Sequence, residues 1–419
     1  MTLRVREARA VVGAPVAAGD LDIAGPDDVL DAAGCVVTPG LVNAHHHLLQ
    51  SAFRTLPGTR GVTMSRWLPT MAEAYARARV DESLVYAAAR VGVAEALLCG
   101  VTTVADHHLT WPAALVPGDT VALARATERA ARELGGRLVF VRGSAGDDPE
   151  NAALSADLIA GALAPAGVSA DGMVQVAVGP AGVHSDSAET FRLLADVADR
   201  RGLRRRTQAN EQVDVQVALA RYGRRPLDLL DEWGWLAPDV TIAHLCGITA
   251  AEIERLARAG VTATHAPGCD LPMGWGIAPV AALRAAGIAV GLGTSGGGSN
   301  DAGHLLADAR LAMQVAPLAG PPLSALDVLT MATAGSAAGL GRPELAAVAG
   351  GDLCVWDVGG VADAGVADPV AGLLWASPGR RPRHVVVAGR VVVRDGRLVD
   401  ADESEIVAAL GRRLAATVH

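Results

Sequence analysis

The stretch Val36-Val37-Thr38-Pro39-Gly40-Leu41-Val42-Asn43-Ala44-His45-His46-His47 is an apolar run bounded by Pro39-Gly40 and ending in three imidazoles. A run of that length and punctuation predicts a buried β-strand rather than a helix. Side chains alternate along a strand, so His45 and His47 share one face and His46 points away. Neutral imidazoles at i and i+2 can hold one zinc or iron ion, and a strand end beside a loop leaves room for water on it. The chain contains no lysine. This excludes a Schiff base and a carbamylated lysine bridging two metals, so a metal centre here is expected to be mononuclear.

The elements that must position these histidines follow from the pattern around them. Apolar strands alternate with helical segments such as 83–98, which predicts repeated βα units and a parallel sheet. Strands are expected at 41–47, 101–105, 138–142, 174–179, 203–208, 241–244, 261–265 and 288–295. Eight such units describe an α/β fold, a (β/α)8 TIM barrel over 39–344, whose active site lies at the C-terminal ends of its strands. His45, His47, His107, Arg142, His184, Glu211, His244, His265 and Ser295 all fall at or just after those ends. Outside the barrel, short alternating runs occupy 1–38 and 345–400. Neither set buries its apolar residues alone, so the two termini are expected to form one small composite β-sandwich, followed by a C-terminal helix at 401–419.

Composition narrows the function classes. The formal charge of −9 argues against a nucleic-acid partner, which would require a basic face. No apolar run approaches membrane-span length without a charge, Gly or Pro break. The N-terminus has no charged segment followed by an apolar block, so secretion is not expected. Five scattered cysteines without a CxxC pair fit a reduced, cytoplasmic setting.

Several stretches together resemble the amidohydrolase superfamily, in its branch of nucleobase deaminases and s-triazine hydrolases. They are 39–48, Val62-Thr63-Met64-Ser65-Arg66-Trp67-Leu68, 102–109, Leu271-Pro272-Met273-Gly274-Trp275-Gly276-Ile277-Ala278-Pro279 and 291–301. The resemblance runs through almost the whole barrel. It implies one divalent metal, zinc first and iron second, held by His45, His47, His244 and a residue after the fifth strand. There the family has histidine and this chain has Gln208; after the eighth strand its common aspartate is replaced by Ser295. A neutral amide oxygen is a weaker donor than imidazole, so metal affinity is expected to fall, with His184, His107 and His265 as alternative donors. The resemblance also implies Glu211 as proton shuttle, with His265 and Ser295 as further catalytic groups. The substrate would be a small heteroaromatic ring contacted by Gln50, Trp67, His107, Arg142, Asp270 and Trp275, and the assembly a homodimer. The alternative is a barrel that has lost its metal and binds a ligand or works by acid–base chemistry through Glu211 and His265. Asn300 and Asp301 are expected to fix their loop. The run Arg204-Arg205-Arg206 reads as a solvated face or as altered barrel geometry next to Gln208.

Overall fold

The computed structural model describes residues 1–13, 17–112, 115–377 and 379–416. Its larger sheet is the barrel. We number its strands β1 (Leu41–His47), β2 (Val101–His108), β3 (Arg137–Ser144), β4 (Val174–Pro180), β5 (Arg204–Ala209), β6 (Val240–His244), β7 (Thr262–His265) and β8 (Val290–Leu292). All neighbours are parallel, with register irregularities between β1 and β2 at Leu41/Val42 and Asn43/His46. After β8 the chain turns at Gly293 and Thr294, and Ser295–Gly296 pairs with His46 and His47 of β1, returning the sheet to its first strand. Strands covered on both faces need apolar side chains both ways, as in Leu138, Val139, Phe140 and Val141 of β3, each no more than 2% exposed.

The helices between strands begin and end on local signals. Asp81 caps Glu82–Leu98 by accepting from Leu84 N, and Thr249 with Glu252 forms a reciprocal cap on Ala250–Ala259. Helix Ala188–Arg201 stops at Gly202, which adopts the left-handed conformation that glycine permits. The fully buried Trp235 fills the space outside β5, its indole N–H donating to Phe191 O.

Both ends of the chain build the second sheet. Thr2–Val11, Ala17–Ala24, Asp28–Asp31 and Cys35–Pro39 join Leu353–Asp357, His384–Val387, Arg390–Arg394 and Arg397–Leu398 in one eight-stranded sheet. The seam pairs Val37 with Val355, antiparallel. Leu3, Val5, Leu30, Val37, Leu353 and Val386 form its apolar core, far apart in sequence and brought together by that seam. Gly40 leads from this sheet into β1; a side chain there would strike Thr102 at 2.2 Å, which is why no larger residue fits. A buried ion pair, Arg137 with Asp352 at 2.8 Å, fastens the barrel to the sheet. Helix Glu403–Ala415 lies against Glu82–Leu98. The expected helix at 401–419 extends in its last residues, 417–419, outside the described ones.

One expectation needs correction. The three arginines of β5 do not form a solvated face. Strand alternation sends Arg205 outward to Asp239, at 2.5 Å, and over the Trp235 ring, while Arg206 points into the barrel and is 4% exposed. Arg206 donates to the carbonyls of Ala44 and Gly339 and has no carboxylate partner among the described residues.

Candidate active site

The histidines of β1 are fixed from both sides. His46 turns away from its neighbours and shares a 2.8 Å hydrogen bond with Thr294 Oγ1, which also receives Asn43 Nδ2. His47 Nδ1 donates to His107 O at 2.6 Å, which sets the tautomer and leaves Nε2 with a free lone pair. His45 Nε2 is buried and has no protein partner. The His45 ring lies 5.0 Å from that of His47 and 5.3 Å from that of His244, centre to centre and edge to face. Burial first, then the neighbouring imidazoles and Arg206, holds His45 well below the usual histidine range, and burial draws His47 down to about 4. Both are therefore neutral, the form that ligates.

The other half of the site comes from β5 to β7. His244 ends β6 in the left-handed region, at φ +75°, and Leu245 follows at φ +60°. Such backbone costs about 1–3 kcal/mol per residue and persists only where the surroundings impose it. His244 Nδ1 donates to Asp270 Oδ1 at 2.6 Å, and its Nε2 reaches Gln208 Oε1 at 3.1 Å. Burial opposes charge on this ring, but Asp270 and then Glu211 outweigh it and raise its pKa. Asp270 is correspondingly drawn down to about 2, because its two histidines outweigh its burial.

Glu211 follows β5 through Asn210, which takes φ +55° and is held by Asp214. The carboxylate is fully buried, both oxygens lack a protein partner, and Oε1 lies 3.6 Å from His244 Nε2. Burial raises its pKa against the opposing pull of His244 and His184. His265 ends β7 with Nδ1 3.5 Å from Asp270 Oδ2, and Ser295 Oγ accepts from Ser299 Oγ at 3.3 Å.

A cavity of about 1040 Å³ opens on this end of the barrel. Of the expected residues, His47, Gln50, Trp67, His107, His184, Gln208, Trp275 and Ser295 line it. Gln50 Oε1 accepts from Gly298 N, and His107 Nε2 donates to Gly179 O, so part of each side chain's polar capacity is used. Trp275 meets His244 edge to face at 4.9 Å. Two expected substrate contacts are corrected. Arg142 spends its guanidinium on Asp147, Ser155 and the Trp111 ring, and Asp270 is fully buried and bonded to His244, so neither offers a free polar atom to the cavity. His45, Glu211, His244 and His265 lie behind the residues that line it. Asn300 bonds Thr294 O and Asp308, and Asp301 receives Thr55 N, so both hold their loop. Sequence reasoning missed Tyr75, Trp111 and Asp106, which also line the cavity. The helical spacing of Met64, Trp67, Met71 and Tyr75 was the available signal for the first; nothing marked Asp106.

The donor set fits a single divalent ion. Three imidazoles are sufficient for a catalytic zinc once His244 gives up the proton that Asp270 and Glu211 favour, and an orphaned buried Nε2 on His45 is what such a site requires. Among the described residues the one trio of ligand-type atoms within 4.8 Å of one another is instead His244, Cys269 and Asp270. In that trio Asp270 Oδ1 already accepts from His244 Nδ1, and burial, then Asp270, pushes the Cys269 thiol up and keeps it protonated, so neither is free to ligate beside His244.

Imidazoles at the ends of the first and sixth strands of a parallel barrel, with a buried glutamate after the fifth, lie where such barrels carry their active sites. The chain belongs to the amidohydrolase family, whose model matches residues 36–392. It is 34% identical over 396 residues to 8-oxoguanine deaminase from Pseudomonas aeruginosa, covering 90% of this chain and 86% of that one. It is 32% identical to 5-methylthioadenosine/S-adenosylhomocysteine deaminase from Halobacterium salinarum, over 94% of this chain and 89% of that one. The structure superposes on atrazine chlorohydrolase from Arthrobacter aurescens TC1 complexed with zinc with a TM-score of 0.92 at 33% identity, over 98% of this chain and 100% of that one. No helix among the described residues is long and apolar enough to cross a membrane.

Proposed function

We propose that the chain hydrolyses a carbon–nitrogen or carbon–halide bond on a small N-heteroaromatic ring. The observation that carries this reading is Glu211, a fully buried carboxylate with two unpartnered oxygens, 3.6 Å from His244 Nε2, an atom it shares with Gln208, which lines the cavity with Trp67 and Trp275. His45, His47 and His244, with Gln208 as a neutral fourth donor, are the residues that would hold a divalent ion, zinc first and iron second. When bound, such an ion supplies a Lewis acid that makes water nucleophilic near neutral pH. Burial keeps Glu211 protonated further up the pH scale than an exposed glutamate, which suits it to hand a proton to a ring nitrogen and to take one from water. His265 donates to the oxygen that gains charge as the ring carbon becomes tetrahedral. Ser295 supplies a neutral hydroxyl for orientation, and the two tryptophans offer aromatic faces to the ring. A homodimer in the cytoplasm completes the proposal, and light scattering tests the assembly.

Release of ammonia or chloride from a panel of aminopurines, pterins, amino-s-triazines and chloro-s-triazines tests this reading. On whichever compound turns over, Glu211→Gln lowers kcat by about 10²–10⁴-fold while ligand binding persists. An unchanged kcat removes Glu211 from the reaction.

A specific observation favours a second reading. His244 Nε2 already spends a hydrogen bond on Gln208 Oε1, and a buried cation, Arg206, lies against the carbonyl that precedes His45. In this reading the barrel binds its ligand without a metal, and Glu211 and His265 do the acid–base work. Metal content by mass spectrometry decides between them. Stoichiometric zinc or iron, lost in His45→Ala, supports the first; none after reconstitution supports the second.

A further inference from the structure

We infer that the substrate is elongated, with its heteroaromatic ring at the histidine pole and an apolar substituent lying along helix Met64–Ala78. The position of the ring rests on the function proposed above; the substituent rests on separate observations. Met64, Trp67, Met71, Ala72, Tyr75 and Ala76 all line the cavity and recur at the spacing of one helix face. At 1.5 Å rise per residue that stripe runs about 18 Å, well beyond the span of a fused two-ring heterocycle. The volume agrees: about 1040 Å³ is room for a drug-sized ligand, and a bare nucleobase would leave most of it to water.

The stripe has a direction. Met64 and Trp67 pack with Cys269, Met273 and Trp275, and Trp275 touches the His244 ring, so this end adjoins the catalytic pole. The other end reaches Val80, Trp111 and Pro112, beside the exposed Arg79 and Asp81.

The wall chemistry decides what lies there. Trp67 Nε1 donates to Gly298 O at 3.0 Å, and Trp111 Nε1 donates to Gly143 O at 2.8 Å. The Tyr75 hydroxyl faces the side chains of Gln50 and Thr110. The two tryptophans therefore present ring surface with their polar atoms already engaged, and the methionines and alanines between them have no side-chain hydrogen-bond donors. A sugar placed along this wall would surrender water and gain no partner from the helix stripe itself. An alkyl or aryl chain would bury apolar surface against rings and thioethers, which is what such a wall rewards.

The test is a matched binding series on two cores, aminopurine and amino-s-triazine, each as the bare ring, the 4-phenylbutyl derivative and the ribosyl derivative. Dissociation constants come from tryptophan fluorescence and calorimetry on the full-length protein, with ammonia release measured in parallel. On at least one core the phenylbutyl compound binds at least tenfold tighter than its bare ring, the change expected from burying roughly 60 Å² of apolar surface. The ribosyl compound shows no such gain. Ala76→Trp and Ala72→Trp, both at exposed positions on the stripe, fill the groove and bring the phenylbutyl-to-bare ratio toward one. An equal or larger gain for ribosyl, no gain for phenylbutyl on either core, or a gain indifferent to both tryptophans overturns the inference. The two proposals fail separately. The predicted binding order without ammonia release leaves the substituent groove standing and removes the deaminase reading for these rings. Ammonia release from bare rings without the binding order does the reverse.

Discussion

Asp106 offers a sharp test of how this barrel carries buried charge. The residue lies on β2 beside His46 and Phe140, where Oδ1 accepts from Leu48 N at 2.8 Å and Oδ2 is buried without a partner. The nearest base, His108 Nδ1, is 4.0 Å away and is itself held down to about 4 by burial, so it brings no positive charge at neutral pH. Burial lifts Asp106 to about 7. An acid whose folded pKa lies above its unfolded value keeps a proton that the unfolded chain has already lost. Stability therefore falls as pH rises from about 4 to about 7, and the full cost is present above that window. Three pH units correspond to about 4 kcal/mol at most.

Asp106→Asn removes that cost, keeps the acceptor for Leu48 N, and introduces an amide N–H₂ that needs a partner at a penalty of about 1–2 kcal/mol. The variant is expected to be about 2–3 kcal/mol more stable than the parent at pH 8, an advantage that shrinks by about the same amount at pH 5. Urea unfolding at the two pH values, with slopes that match, reads the difference directly. A gap that ignores pH, or an asparagine variant less stable at pH 8, would refute the assignment of Asp106 as an uncompensated buried carboxyl.

Further outcomes follow from the same structure. Arg206, drawn by burial to about 9, carries a charge whose cost is at most about 5 kcal/mol after two carbonyls solvate it. Arg206→Met should stabilise the fold by about 1–3 kcal/mol in urea and tighten zinc binding; a clear loss of stability contradicts this. Gln208→His should tighten zinc binding by about tenfold or more in competition with a chromophoric chelator, and no change would mean that this position is not a ligand. Asp352→Ala strips the partner from buried Arg137 and from Ala388 N, and should cost about 3–5 kcal/mol in the unfolding of the whole chain.

The barrel was legible because its signal is local and repeated. Each strand is a short apolar run with a polar residue at its end, and alternation alone placed His45 and His47 together. The seam of the second sheet was legible only as unsatisfied pattern at both ends; the pairing of Val37 with Val355 is set by the fold that closes between them. What escaped were side chains whose direction depends on tertiary neighbours. Arg142 and Asp270 sit where a barrel puts substrate contacts, yet Asp147 and Trp111 draw one aside and His244 claims the other. Three consecutive arginines look like solvated surface in sequence, but a barrel strand must send alternate residues inward, and Arg206 goes in whatever its charge.

That inward arginine gives the two departures from the expected ligand pattern a common sense. The resemblance implies an imidazole where Gln208 stands and a common carboxylate where Ser295 stands, and both departures make a cation less welcome. Arg206, one strand layer below Gln208, acts in the same direction by adding a positive charge against the Ala44 carbonyl. The compensating negative charge lies elsewhere, in Asp270 behind His244 and in Glu211 next to it. Of His45, His47 and His244, the last alone is held in an acidic neighbourhood. A cation entering such a site must displace a proton from the imidazole that Asp270 and Glu211 favour in its charged form. Zinc uptake should accordingly release a proton and strengthen as pH rises. Potentiometric measurement of protons released per zinc bound, compared in parent and Asp270→Asn, tests the coupling; equal release in both would place the proton elsewhere.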